Sequence, residues 1–324
     1  MHSRSSYSRR YVLAGLCALP FASLSAGLIF NSSADAASLA AINGKTLQKK
    51  LAELEAASGG RLGVAARSSN GGKSLSYRGD ERFPMCSTFK VLAVAALLRD
   101  KPGILEQRIH FAQIDIQPWS PVTEKHLEDG MTVAELCAAM LQHSDNTAAN
   151  LVLAKLGGPQ GLTSLARSFG DTTFRLDRWE VELNTAIPGD ARDTTTPLAM
   201  CNTLNGLLCG NLLKAPARER LTGWMLGCAT GAGRIPAGIP QGWRSAHKSG
   251  SGENGTANDV GVLLPPSNPG KATKPGKNKG KPLTVALYLT GSRLTGPEND
   301  KILASATRLV CAAEGLAMPL DNMY

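Results

Sequence analysis

Trp243-Arg-Ser-Ala-His-Lys-Ser249, Thr256-Ala-Asn-Asp-Val-Gly-Val-Leu-Leu264 and Leu283-Thr-Val-Ala-Leu-Tyr-Leu-Thr290 are three short segments of strand length, set apart by Gly-, Asn- and Pro-rich punctuation. What surrounds them decides the fold. Far upstream, Gly60 to Ser68 and Lys73 to Arg78 read as two more strands around an Asn70-Gly71-Gly72 turn. Ser38 to Ala57, before them, has helical periodicity, and a closing helix is predicted from Glu298 to Glu314. Between the two groups of strands the pattern is helical from Ser87 to Ser168, from Pro197 to Gly210 and from Ala215 to Leu226. Pro102-Gly103, Asp129-Gly130 and Gly157-Gly158-Pro159 interrupt the first of these. Strands, many helices, then strands again predict an α+β protein. Its five-stranded antiparallel sheet is assembled from both ends of the chain, flanked by N- and C-terminal helices, with an all-α lobe inserted. Residues 37–78 and 227–324 are assigned to a discontinuous α/β lobe and 79–226 to the helical lobe. There is no internal repeat.

The first residues read Ser8-Arg-Arg-Tyr-Val-Leu13, an apolar stretch from Ala14 to Phe30, and Ala34-Asp-Ala36. This is the layout of a cleavable export signal of the twin-arginine type over residues 1–36. Pro20, Gly27 and several serines interrupt the apolar run, which argues against a retained anchor. No later stretch approaches the ~20 apolar residues that span a bilayer. The mature chain is therefore expected to be periplasmic or secreted, without a membrane segment. Removing 36 of 324 residues leaves 288, enough for a sizeable core.

The formal net charge is +9, and the leader holds three arginines against one aspartate, so +7 remains on the mature chain. Five of those charges are Lys271, Lys274, Lys277, Lys279 and Lys281, in a segment between Pro265 and Pro282 that has no acid. Basicity this local, without interleaved aromatics, fits a solvated Gly/Pro-rich loop and not a nucleic-acid surface. Cys17 departs with the leader. The other six cysteines are scattered singly, with no C-x-x-C pair or His/Cys cluster of zinc-ligand spacing, so no metal is expected.

Chemistry concentrates in four segments: Ser87-Thr-Phe-Lys90, Ser144-Asp-Asn146, Glu180-Val-Glu-Leu-Asn184 and Lys248-Ser-Gly250. Ser87 and Lys90 are three apart at the start of an apolar helical run, so their side chains share a face. A serine hydroxyl needs a proton acceptor to become a nucleophile, and a buried lysine with a lowered pKa can help. Taken alone, S-x-x-K also fits an N-cap serine with a surface lysine, and S-D-N fits a helix cap. Glu180 and Asn184 together supply a carboxylate and an amide able to hold and activate a water.

Phe83-Pro-Met-Cys-Ser-Thr-Phe-Lys90, Met131-Thr-Val, Ser144-Asp-Asn-Thr-Ala-Ala-Asn150 and Asn184-Thr-Ala-Ile-Pro-Gly-Asp190, leading into Arg192-Asp-Thr-Thr-Thr-Pro197, resemble the class A serine β-lactamases across nearly the whole mature chain. The Cys-Ser-Thr-Phe-Lys text and Ser251-Gly252 make the chain similar to that class's extended-spectrum cephalosporinases. The resemblance implies the β-lactamase/penicillin-binding-protein-like fold, with the site in the cleft between lobes. It implies a monomer that hydrolyses small-molecule β-lactams without cofactor, nucleic acid or membrane partner. Ser87 would be the nucleophile and Ser144 the group passing a proton to the leaving nitrogen. Glu180 would be the deacylating base and Asn184 its water-orienting partner. Lys90 and Glu180 both stand as candidates for assisting acylation. Asn146 would bind the substrate's side-chain amide, while Lys248, Ser249 and Gly250 meet its carboxylate. The backbone N–H groups of Ser87 and Ser251 would form the oxyanion hole. Trp119 would wall the cleft, Asp145 would hold its own loop, and Arg178 with Asp193 would clamp the loop that carries Glu180.

Three departures stand out. Val181 replaces the proline that often follows the base, and the Glu180–Val181 bond is expected to be cis. The usual carboxylate-binding arginine positions hold Pro236, Ala257 and Asp300, with Arg234 and Arg293 nearby in sequence. Some relatives bridge a cysteine before the nucleophile to one after the lysine-serine-glycine triplet, but Gly252 leaves Cys86 without that partner. Two rivals share the cleft. A penicillin-binding D,D-peptidase would give a stoichiometric burst with a β-lactam, and a non-catalytic periplasmic binder of cell-wall fragments would give binding alone.

Overall fold

The computed structural model describes residues 43–69, 71, 74–266, 280–316 and 318. The leader and the lysine-rich stretch 267–279 lie outside them, as does most of the Asn70-Gly71-Gly72 turn. Five strands form one sheet: β1 (Arg61–Ser68), β2 (Leu75–Tyr77), β3 (Arg244–Gly252), β4 (Thr256–Leu264) and β5 (Leu283–Thr290). Their order is β2-β1-β5-β4-β3 and every pairing is antiparallel. Among the described residues eight α-helices of ten residues or more accompany them, besides a single helical turn at Ile235–Gly238: α1 (Gly44–Ser58), α2 (Lys90–Asp100), α3 (Val133–Gln142), α4 (Asn146–Lys155), α5 (Gly158–Ser168), α6 (Pro197–Leu208), α7 (Ala215–Leu226) and α8 (Gly296–Ala313). The expected α+β architecture and strand list are met, with boundaries shifted by a few residues.

Both faces of the sheet are buried, and the period-2 pattern of the strands says which residue goes where. Leu62, Val64 and Ala66 of β1, with Leu283, Val285, Leu287 and Leu289 of β5, pack toward α1 and α8. Their alternates Ala65, Ala286 and Tyr288, with Val260 and Val262 of β4, face the helical side. Each fully buried leucine contributes about 1.5–3 kcal/mol, so β5, buried along its whole length, is the sheet's chief apolar element. Helix α2 is buried from Lys90 through Leu98, as expected of a helix apolar on every side. It is the axis of the helical cluster and carries the predicted Ser87–Lys90 motif at its N-terminal end.

The span from Ser87 to Ser168, expected to be helical, is more broken than its pattern suggests. Arg108–Ile109 pairs with Met131–Thr132, and Phe83–Pro84 pairs with Thr194–Thr195 further along. The residues between Pro102 and Thr132 form only single 3₁₀ turns and these ladders. Two-residue ladders are too short to leave a periodic trace in sequence. Ser87 itself sits on a 3₁₀ turn, Cys86–Phe89, that leads into α2.

Candidate active site

β3 is an edge strand, and Lys248-Ser249-Gly250 lies where it crosses the 3₁₀ turn bearing Ser87. The approach is close. A Cβ on Gly250 would lie 2.9 Å from the Met85 carbonyl oxygen and 3.3 Å from the Ser87 amide nitrogen. A side chain at 250 would push strand and turn apart, so glycine is what brings the lysine-serine pair to the serine of the turn.

Three non-glycine residues around this crossing have left-handed backbone: Cys86 (φ 45°), Trp119 (φ 60°) and Ser144 (φ 59°). Such conformations persist only where the surroundings enforce them, and they cluster at functional sites. At Ser144 the enforcement is visible. Asp145 caps α4 by accepting from Ala148 N (2.9 Å), while its carboxylate also accepts from the amides of Val122 and Thr123 and the Thr123 hydroxyl. Asp145 is fully buried and holds the loop that presents Ser144.

The polar groups converge on a buried carboxylate. Ser87 Oγ donates to Glu180 Oε1 at 3.3 Å, and Lys90 Nζ lies 2.9 Å from the same oxygen. Asn184 Nδ2 donates to Glu180 Oε2 at 2.5 Å. Lys90 also donates to Asn146 Oδ1 (2.7 Å), the Ser144 carbonyl (2.8 Å) and Ser144 Oγ (3.4 Å). From the other side Lys248 Nζ donates to Ser144 Oγ (3.1 Å). Ser144 thus bridges two lysines, both fully buried. Burial lowers the pKa of Lys90, with Glu180 partly opposing the shift. Burial and the charge of Lys90 bring Lys248 down to about 7.

Glu180 sits on a clamped loop. Its amide donates to Asn150 Oδ1 (3.0 Å) and its carbonyl accepts from Asn150 Nδ2 (2.9 Å). Arg178 Nε pairs with Asp193 Oδ2 at 2.6 Å, and Asp193 Oδ1 accepts the amides of Asp177 and Arg178. The expected Arg178–Asp193 pair is thus present at the neck, and the Glu180–Val181 bond is cis as expected. Asn184 Oδ1 is buried without a protein partner.

An open cleft of about 500 Å³ is lined by eight of the predicted residues: Ser87, Trp119, Ser144, Asn146, Asn184, Ser249, Gly250 and Ser251. Trp119 is 65% exposed, with its indole N–H donating to the His143 carbonyl (3.0 Å), so it stands as a wall and not as core. Asn146 is tied from both ends, since its Nδ2 also donates to the Pro118 carbonyl (2.8 Å). A smaller hollow of about 360 Å³ near Asp171 and Thr203 contains none of the predicted residues.

Three lining residues were not assigned from sequence: Thr230, Gly231 and Arg234. Thr230 Oγ1 hydrogen-bonds Ser249 Oγ at 2.7 Å. Arg234 donates to the carbonyls of Gly250 (2.7 Å) and Asn258 (2.8 Å) and to Ser251 Oγ (2.8 Å), with Asp300 balancing its charge at 2.7 Å. Arg234 is therefore the arginine of this cleft, reaching it from a segment ahead of β3. Arg293 lies elsewhere, its stem against Gly59. Gly252 does take the place opposite Cys86, since a Cβ there would lie 2.7 Å from Cys86 Sγ. All six cysteines among the described residues are free thiols.

Residues 46–312 match the model of the β-lactamase enzyme family. The chain is 46% identical over 273 residues to β-lactamase OXY-1 of Klebsiella oxytoca, covering 83% of this chain and 89% of that protein. It is 48% identical over 267 residues to β-lactamase CTX-M-25 of Escherichia coli, covering 82% and 88%. The structure of a class A β-lactamase reconstructed as the last common ancestor of Gram-negative bacteria superposes with a TM-score of 0.77. The two share 51% identity over 82% of this chain and 98% of that one. The chain belongs to the β-lactamase enzyme family. Within it, the protein is a class A serine β-lactamase, a hydrolase of β-lactams.

Proposed function

We propose that the enzyme opens β-lactam amides through an ester on Ser87, which a water activated by Glu180 then hydrolyses. The observation that carries this reading is the shared Glu180 carboxylate. One of its oxygens meets both Ser87 Oγ and Lys90 Nζ, and the other is held by Asn184. In acylation Ser87 Oγ attacks the lactam carbonyl and yields its proton to the Glu180–Lys90 pair. The oxyanion turns toward the backbone N–H groups of Ser87 and Ser251. Ser144, bridged to Lys90 and Lys248, passes a proton to the ring nitrogen as the C–N bond breaks. In deacylation, water bound between Glu180 and the otherwise unpartnered Asn184 Oδ1 gives a proton to Glu180 and attacks the ester carbonyl. The Ser87 oxygen leaves and regains a proton. Steady turnover of a chromogenic cephalosporin tests the reading. A stoichiometric burst without turnover would instead favour a D,D-peptidase, and binding alone a non-catalytic binder.

The substrate carboxylate would meet Lys248, Ser249 and Thr230, with Arg234 behind Ser251 supplying the second positive charge. Asn146 would offer its second amide hydrogen to the substrate side chain. Arg234→Ala is expected to raise KM for carboxylate-bearing substrates about 10-fold or more, the scale of one hydrogen bond to a charged group, with a smaller change in kcat. Arg234→Lys should restore only part of the loss, because lysine keeps the charge but not the planar fork. An unchanged KM in folded Arg234→Ala would remove Arg234 from the carboxylate site.

Binding should also move a proton. Lys248, depressed to about 7 in the free site, gains an anionic partner and its pKa rises. At pH 8 the free amine is mostly neutral, so binding takes up a proton; at pH 5.5 both states are charged and none is taken up. Calorimetry of Ser87→Ala with a cephalosporin in two buffers of different ionisation enthalpy reads the uptake directly. Buffer-independent heats at pH 8 would refute it.

We further propose that residues 1–36 direct export and are removed, so that the enzyme works outside the cytoplasm as a monomer. The paired arginines and the Ala34-Asp-Ala36 end support this. Among the described residues no helix is long and apolar enough to cross a membrane. The site then lies between residues 79–226, as the helical lobe, and the α/β lobe of 37–78 with 227–324.

A further inference from the structure

Asp259 stands on β4 directly opposite Ser249 of β3, and it is fully buried. A buried carboxylate needs partners for its charge. Two elements supply them. From β3, His247 Nδ1 lies 2.9 Å from Asp259 Oδ1 and 3.1 Å from Oδ2. From the turn ahead of β3, the Ile235 amide donates to Oδ2 at 3.1 Å. His247 is the residue before Lys248, and Ile235 is the residue after Arg234. One carboxylate therefore holds the immediate neighbours of both cations assigned to the substrate carboxylate.

The two halves of this contact are built differently. Side chains alternate between the faces of a strand, so His247 points away from Lys248. Lys248 Nζ reaches Ser144 in the cleft, whereas His247 is 3% exposed on the opposite face of β3. The register partner of His247 is Gly261, where a Cβ would lie 2.7 Å from His247 Cα. Glycine at 261 thus lets the two strands close on each other at this point, with the ring in reach of Asp259. On the turn, Ile235 opens the single helical turn Ile235–Gly238, and its amide has no partner within that turn. Asp259 caps it from outside and fixes the backbone from which the Arg234 side chain departs, at φ −99° and ψ −118°. Arg234 Nη1 then spans β3 and β4 through the carbonyls of Gly250 and Asn258. Burial disfavours charge on His247, but the charge and hydrogen bond of Asp259 lead the opposing effects and the ring is lifted to about 10.

We propose that the buried His247–Asp259 ion pair positions the substrate-carboxylate site, setting the separation between the strand that carries Lys248 and Ser249 and the turn that carries Arg234. Both are positioning residues, since neither lines the cleft. The proposal rests on the assignment of Lys248 and Arg234 to the substrate carboxylate made above. Loosening the pair lets the two cations separate and weakens their joint grip on that group. Ser87, Lys90 and Glu180 are held from the helical side, through Asn146 and Asn150, and keep their geometry. The signature is a KM effect confined to substrates that bear the carboxylate.

The test compares a chromogenic cephalosporin with the methyl ester of its ring carboxylate. Asp259→Asn keeps the shape and an acceptor oxygen for the Ile235 amide but removes the charge. KM for the acid should rise about fivefold, the middle of the range for one lost hydrogen-bonded contact, with KM for the ester and both kcat values within about twofold of the parent. His247→Asn, which retains a donor toward Asp259, should cost the acid about twofold. In an Arg234→Ala background Asp259→Asn should add about twofold or less, because one of the two groups it positions is gone. Equal rises for acid and ester would mark a general structural role and overturn the proposal. So would an unchanged KM for the acid in Asp259→Asn when Arg234→Ala raises it, a result that leaves the carboxylate assignment standing. An unchanged KM in both variants removes the assignment and the positioning role together. The unaltered enzyme gives a reading that does not depend on how any variant folds. With histidine ring nitrogens labelled for magnetic resonance, His247, the one buried histidine among the described residues, is expected to carry protons on both nitrogens at pH 8. A buried ring with a single proton there overturns the ion pair.

Discussion

Ser87→Ala is expected to lose turnover of a chromogenic cephalosporin by roughly 10⁴- to 10⁶-fold, the scale seen when a covalent nucleophile is removed while the binding groups remain. Substrate affinity should survive, because Lys248, Ser249 and Arg234 do not depend on the hydroxyl for their positions. Their partners are Ser144, Thr230, Asp300 and backbone carbonyls. Ser87 contributes one long hydrogen bond to Glu180, at 3.3 Å, so stability should change little. The measurement is steady-state rate with thermal unfolding and intact mass alongside. A folded Ser87→Ala enzyme within tenfold of the parental rate would end the acyl-serine reading.

Glu180→Ala should separate making the ester from breaking it. General-base assistance is typically worth 10²- to 10⁴-fold, and deacylation should slow by about that factor. The expected trace is a burst near one equivalent followed by a slow steady phase, with an adduct on Ser87 visible by mass. Acylation should slow too, since Ser87 Oγ contacts Glu180 directly, but Lys90 remains beside Ser144 and Asn146 as an alternative acceptor. Glu182 offers no substitute: it is exposed on the next turn, whereas Glu180 is 3% exposed and faces the Ser87 hydroxyl. A Glu180→Ala enzyme that turned over a good cephalosporin at the parental rate, with no accumulated adduct, would refute the assignment of the base.

The strands and helices were legible wherever a segment was long enough to repeat its pattern. β5 and α2 read correctly because eight buried residues in a row and an all-apolar helix leave few alternatives. The ladders at Arg108–Ile109 and Phe83–Pro84 were illegible because two residues hold no period. Residues lying within a motif converge on one cleft, as their grouping in the sequence led one to expect. The lining residues Thr230, Gly231 and Arg234, brought in by tertiary approach, left no such trace. Arg234 was noted as near in sequence, but its reach to Gly250, Ser251 and Asn258 depends on how the turn before β3 folds back. Asn150 held a readable signal, since it falls one turn after Asn146 on α4, yet its target was the backbone of Glu180. The pairing of His247 with Asp259 needed the β3–β4 register, in which His247 faces Gly261 and its ring reaches diagonally to Asp259.

β1 pairs with β5 along its whole length, Arg61 against Thr290 through Ser68 against Leu283. A ribosome therefore completes β1 long before β5 exists, and the early strand has only the short β2 for company. Loop closure over such a separation is slow, and chains dominated by distant pairings reach their native state late. The helical residues can gather around α2 first, but the edge strand carrying Lys248 joins the sheet only through β4, and β4 only through β5. Ser87 thus waits for the last strand of the sheet to be made before its facing residues arrive, and a chain arrested before Leu283 would hold Ser87 without the cleft.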